Sequence, residues 1–97
     1  MNIVKNKDGN ILNLTVEGRL DTTTSPQLEA EGADLSGVEE LVFDFSKLEY
    51  ISSAGLRVLL SFQKKMNTQG KMVIKNVCEE VMEVFEITGF SDILSFE

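Results

Sequence analysis

Hydrophobic positions change period several times along the chain, and the changes mark out alternating strands and helices. Ile3-Val4 and Ile11-Leu12-Asn13-Leu14-Thr15-Val16 have strand character, and Lys7-Asp8-Gly9-Asn10 between them holds the Asp-Gly pair of a tight hairpin turn. The chain therefore opens as an antiparallel pair. After Gly18-Arg19-Leu20-Asp21, Ser25 is placed to cap a short helix whose first residue is Pro26, because proline has no amide to leave unpaired there; Gly32 ends it. Residues 38–45 hold the apolar run Leu41-Val42-Phe43, broken by Asp44, which predicts a strand covered on both faces rather than an edge. Projecting residues 53–68 at about 100° per residue gathers Gly55, Val58, Leu59, Phe62 and Met66 on one side, the stripe of a core-facing helix. Gly70 closes that helix, Lys71-Met72-Val73-Ile74-Lys75 forms another strand, and residues 79–88 a third helix with Gly89 at its end. Ile93-Leu94-Ser95-Phe96 reads as a last short strand. Strand–helix–strand connections require parallel pairs, so the expected product is an α/β domain: a mixed sheet of four to five strands with three to four helices packed on it.

Composition narrows the function. Ninety-seven residues, 42% of them hydrophobic, suffice for one compact domain and leave no room for a second. A net charge of −7 disfavours non-specific attraction to nucleic acid or to an anionic membrane and favours a protein partner. The single cysteine, Cys78, excludes an internal disulfide, and with no histidine there is no convincing zinc site and no histidine-dependent triad. A nucleophilic serine would need a lysine or carboxylate as base, and Gly-x-Ser-x-Gly is missing, so the expectation is a non-enzyme without cofactor. No apolar run approaches the ~20 residues of a membrane span and the start lacks the regions of a signal peptide, which reads as cytoplasmic, with no membrane insertion.

The informative segment is Asp44-Phe45-Ser46-Lys47-Leu48-Glu49-Tyr50-Ile51-Ser52-Ser53-Ala54-Gly55-Leu56, which leads out of a strand, through a loop, into the longest helix. Loops at the carboxyl ends of strands are favoured sites in open α/β sheets. This one brings two serines to a helix N-terminus, where unpaired amides and the helix dipole stabilise an anion such as phosphate. A serine in that place is also an ordinary cap, and local sequence alone favours the cap.

Asp44-Phe45-Ser46 followed by Tyr50-Ile51-Ser52-Ser53-Ala54-Gly55-Leu56 resembles the signature of the STAS domain family, to which anti-sigma factor antagonists belong. The likeness runs from Gly18-Arg19-Leu20-Asp21 to the closing helix and implies a single STAS domain over residues 1–97. It implies that Ser53, two residues before the glycine, is the phosphoacceptor, with Ser52 as second choice. It further implies an anti-sigma factor that is itself the serine kinase, a PP2C-type phosphatase to reset the switch, and release of a sigma factor by the unphosphorylated form. Many members have aspartate where this chain has Ser52, which is expected to cap the helix while Ser53 projects outward. The family also includes non-switching subunits of lipid and ABC transport systems and small-ligand sensing modules, which stand as the alternative.

Charge placement adds a cue of its own. Between Ile51 and Cys78 there is no acidic residue, while Arg57, Lys64, Lys65, Lys71 and Lys75 all fall there. That basic island can steer a partner; equally, Lys64 and Lys65 can serve the helix C-terminus, and Lys71 and Lys75 can guard a sheet edge. Leu60 projects onto the polar face with Ser53, Arg57 and Lys64, and Leu56 lies at its flank, so the two leucines are expected to form an apolar spot ringed by charge. Asp21 is expected beside the serine loop, as a turn former or a partner contact. Asp44 is expected to accept backbone amides, Thr22-Thr23-Thr24-Ser25 to be a solvated loop, and Cys78 to pack as a small hydrophobe.

Overall fold

The computed structural model describes all residues, 1–97. Strand β1 (Asn2–Asp8) pairs antiparallel with β2 (Ile11–Leu20) across Gly9, whose φ of 62° suits a residue without Cβ. Helix α1 (Ser25–Glu31) leads to β3 (Glu40–Ile51), α2 (Ser53–Met66) to β4 (Lys71–Lys75), and α3 (Glu79–Thr88) follows. The sheet order is β1-β2-β3-β4, with β2–β3 and β3–β4 parallel. Both crossovers advance in the same direction across the sheet, so their right-handedness puts α1 and α2 on the same face.

That face is the core. Leu28 of α1, Val58, Leu59, Phe62 and Met66 of α2, and Val81 and Phe85 of α3 join Leu12, Leu14, Val16, Leu41, Phe43, Phe45, Met72 and Ile74 in one buried cluster. Alternate strand residues point away from it, since successive side chains of a strand face opposite sides. Cover on both faces of β3 is therefore corrected: β3 is an interior strand, but helices pack on one side only. Val42 escapes solvent on the open side because its register partners there are Asn13 and Val73.

Three further expectations change. The 93–96 strand is replaced by a 3-10 turn, Phe90–Asp92, and an isolated parallel bridge from Ile74 to Phe96, so the sheet has four strands. Leu94 and Phe96 turn inward there, with the Phe96 ring 5.1 Å from that of Phe85. Thr24, not Ser25, is the residue before α1; Ser25 is already helical and donates its hydroxyl to the Asp21 carbonyl at 2.6 Å. Finally, β3 does not stop near Phe45. It continues to Ile51, absorbing extra residues opposite Thr15–Glu17 and Gly18–Arg19 of β2 as bulges.

Candidate functional site

The two bulges carry β3 to the rim of the sheet, where Leu20 and Ile51 form the last β2–β3 pair and the Ser52 amide donates to the Leu20 carbonyl at 2.9 Å. What reads as a loop in sequence is thus a strand up to one connecting residue. Ser52 is extended (φ −107°, ψ 178°), and the Leu56 amide closes the first helical bond onto its carbonyl at 3.1 Å. The first turn of α2 lies flat on the strand ends: a Cβ on Gly55 would stand 2.7 Å from Leu20 Cγ and 2.9 Å from Ile51 Cγ1. Glycine two residues after Ser53 is what allows the helix start to sit there.

The two serines differ. The Ser52 hydroxyl is buried and has no hydrogen-bond partner, which corrects its expected capping role: the helix N-terminus carries no side-chain cap at all. Leaving a buried hydroxyl unpaired costs roughly 1–3 kcal/mol. Ser53 is exposed in the first helical position, and its hydroxyl bonds to no lysine or carboxylate. No acid occupies the first turn. The result is an outward hydroxyl beside uncapped amides at the positive end of a 14-residue helix.

Next to this end the chain turns at Asp21. Its Oδ1 accepts from the Thr23 hydroxyl at 2.8 Å, the Thr23 amide at 3.0 Å and the Thr24 amide at 3.2 Å. The Thr23 hydroxyl foremost, aided by these amides against a partial loss of hydration, holds the carboxyl below its usual range. The threonine cluster is thus an internally bonded turn. Arg19 lies 3.8 Å from Asp21 and 4.1 Å over the Tyr50 ring, a cation–π pair that the sequence reading did not include. It follows from the Arg19–Tyr50 register, which a bulge sets. Thr22, Pro26 and Glu29 face Ala54, Arg57 and Val58 across a shallow groove between α1 and α2.

The basic island divides. Lys71 pairs with Glu40 at 3.7 Å and Lys75 with Glu97 at 3.8 Å, so the cations of edge strand β4 are already engaged. Arg57, Lys64 and Lys65 of α2 are exposed, and none lies within ion-pair distance of an acid. Leu60 is half-buried, outside the core cluster and in line with Ser53, Arg57 and Lys64. Leu56 is not its neighbour at the surface. It is 4% exposed and part of the core, because the close seat at Gly55 turns that flank of the helix inward.

Two residues stand apart from the site. Asp44 accepts from the Ser46 amide at 2.9 Å and from Asn76 at 3.3 Å, and the Ser46 amide foremost keeps its carboxyl low. Cys78 is half-buried against the core, its Sγ donating to the Leu48 carbonyl at 3.6 Å. No three His, Cys, Asp or Glu side chains are grouped to hold a metal ion, and no helix is long and apolar enough to cross a membrane.

The sequence pattern of the STAS domain matches residues 2–97. The chain belongs to the STAS domain family. This STAS domain is 38% identical over 96 residues to BtrV of Bordetella bronchiseptica, named as a candidate anti-sigma factor antagonist, over 96% of this chain and 83% of that one. It is 30% identical to the anti-sigma-B factor antagonist of Listeria monocytogenes, over 97% and 85% of the two chains. Among solved structures it resembles an anti-sigma factor antagonist from Mycobacterium paratuberculosis, with a TM-score of 0.86 and 23% identity over 98% of this chain and 83% of that one. The anti-sigma factor antagonist SpoIIAA in its unphosphorylated form gives a TM-score of 0.77 and 16% identity over 99% and 87%. These likenesses extend the STAS fold, a four-stranded mixed sheet with three helices, over nearly the whole chain.

Proposed function

We propose that this STAS domain is an anti-sigma factor antagonist controlled by phosphorylation of Ser53. Unphosphorylated, it binds an anti-sigma factor that is also its serine kinase and so frees a sigma factor in the cytoplasm. The kinase then transfers the γ-phosphoryl group of ATP to Ser53 Oγ; the hydroxyl proton leaves, ADP is released and the complex dissociates. A PP2C-type phosphatase hydrolyses the ester and restores the binding form. The reading is carried by the contrast between the two serines: the hydroxyl of Ser53 is outward and unpaired at an uncapped helix start, whereas that of Ser52 is enclosed. The relatives' names support the function, and SpoIIAA is known in an unphosphorylated and a phosphorylated form. A phosphate carries about −1.5 to −2 charges, tolerable at a helix N-terminus but costly in a desolvated interface. The partner-facing surface is then Asp21, Ser53, Arg57, Leu60 and Lys64, with Ser52, its hydroxyl enclosed, and Leu56 supporting it from beneath.

Incubation with the cognate kinase and ATP, followed by peptide mass spectrometry, is expected to find one modification, at Ser53. Modification at Ser52, or none, defeats the assignment. Native capture of transporter subunits instead of an ATP-binding kinase would favour the non-switching transport role.

A further inference from the structure

We propose that Arg57 is the internal counter-ion of a phosphate on Ser53, so that modification withdraws the first cation of the α2 face as well as adding an anion to it. This rests on the reading of Ser53 as the modified residue. Ser53 and Arg57 are both exposed and four residues apart on α2, a spacing that stacks side chains one turn apart, about 5–6 Å between their Cβ atoms. The Arg57 guanidinium has no ion pair, although Glu29 lines the same groove, so nothing has to be broken for it to swing toward Ser53. No acid on α2 competes for it.

Geometry singles Arg57 out. Lys64 and Lys65 lie 11 and 12 residues beyond Ser53, roughly 17 Å along the helix axis, outside contact and beyond the screening length at physiological salt. A guanidinium can meet two phosphate oxygens at once, which an ammonium cannot, and the uncapped amides of the first turn receive the remaining oxygen. The unmodified helix presents three free cations, two of which, Arg57 and Lys64, are in line with Leu60. The modified face presents a phosphate closed on Arg57, with only Lys64 and Lys65 free at the far end. An acidic partner surface thus loses its attraction at the end of the helix where the anion appears, and the switch acts on charge without moving the fold.

Phosphoserine can be installed at position 53 by genetic code expansion, which needs no kinase, and titrated by ³¹P NMR in the wild-type background, in Arg57→Gln and in Lys64→Gln. A cation one turn away favours the dianion, so Arg57→Gln is expected to raise the phosphate midpoint by about half a pH unit. Lys64→Gln is expected to leave it in place. The other charged neighbours of this end, Arg19 (paired with Asp21), Asp21 and Glu29, are common to all three proteins and cancel in the comparison. An unchanged midpoint in Arg57→Gln, or an equal rise in Lys64→Gln, overturns the proposal. Failure of a kinase to modify Ser53 would remove the functional reading while leaving this titration as it stands, so the two can be judged apart.

Discussion

Gly55→Ala tests whether the helix start is seated as tightly as the strand ends indicate. The added methyl would stand 2.7 Å from Leu20 Cγ, 2.9 Å from Ile51 Cγ1 and 3.0 Å from Leu20 Cδ2. Leu20 is fully buried and Ile51 2% exposed, so neither can yield without displacing its own neighbours. Overpacking of this kind costs about 1–3 kcal/mol, while alanine in place of glycine inside a helix returns about 1 kcal/mol. The net expectation is a loss of about 1 kcal/mol, a fall of about 4–8 °C in Tm for a domain of this size. Urea denaturation of Gly55→Ala, Leu20→Ala and the double variant would isolate the clash: with Leu20 cut back, two of the three close contacts go and only Ile51 Cγ1 remains, so the alanine at 55 should cost clearly less than in the parent, a coupling of about 1 kcal/mol. A single variant as stable as the parent, or additive costs in the double, would refute the close seat and the reason given for glycine after the serines.

Ser53→Asp should weaken anti-sigma factor binding by roughly tenfold or more, because it places a permanent anion in the contact, whereas Ser53→Ala should bind normally and lose switching; equal affinities by titration calorimetry would remove Ser53 from the interface. Leu60→Lys should lower the same affinity by roughly 1–3 kcal/mol with little change in Tm, since Leu60 lies outside the core cluster, and early melting would show it to be structural. Asp44 titrates below its ordinary 3.8 through the Ser46 amide foremost, so its contribution is complete above that value and disappears as the pH falls through the lower folded value. Solvent screening keeps it to at most about 1 kcal/mol, and the gap in urea midpoint between wild type and Asp44→Asn should shrink as the pH falls through and below 3.8; a constant gap would refute it.

The elements with strong period were legible in the sequence. The Asp8-Gly9 turn is where it was expected, and Gly55, Val58, Leu59, Phe62 and Met66 are all buried on α2. The continuation of β3 was not, because its bulges interrupt the alternation and put Ser46, Lys47 and Glu49 in a row that reads as loop. Leu56 and Leu60 look alike in helical projection; only the flat approach of the first turn to Leu20 and Ile51 separates a core residue from a surface one. The motif located the serines, but which hydroxyl is enclosed depends on how the strand end meets the helix. Composition marked five cations as an island, and strand register and the chain's last residue took two of them into ion pairs.

The uncovered side of the sheet answers to solubility. Across it run Asn6, Asn13, Val42 and Val73 in one register row, with Ile11 in the next. The two asparagines keep the valines from joining Ile11 in a continuous greasy strip, and neither takes part in the core. Changing Asn6 or Asn13 leaves the core alone but alters how the molecules behave in a crowd. Asn13→Ile would leave the melting transition nearly where it was and make concentrated solutions cloud, because an unbroken apolar strip on an open sheet invites a second molecule to cover it.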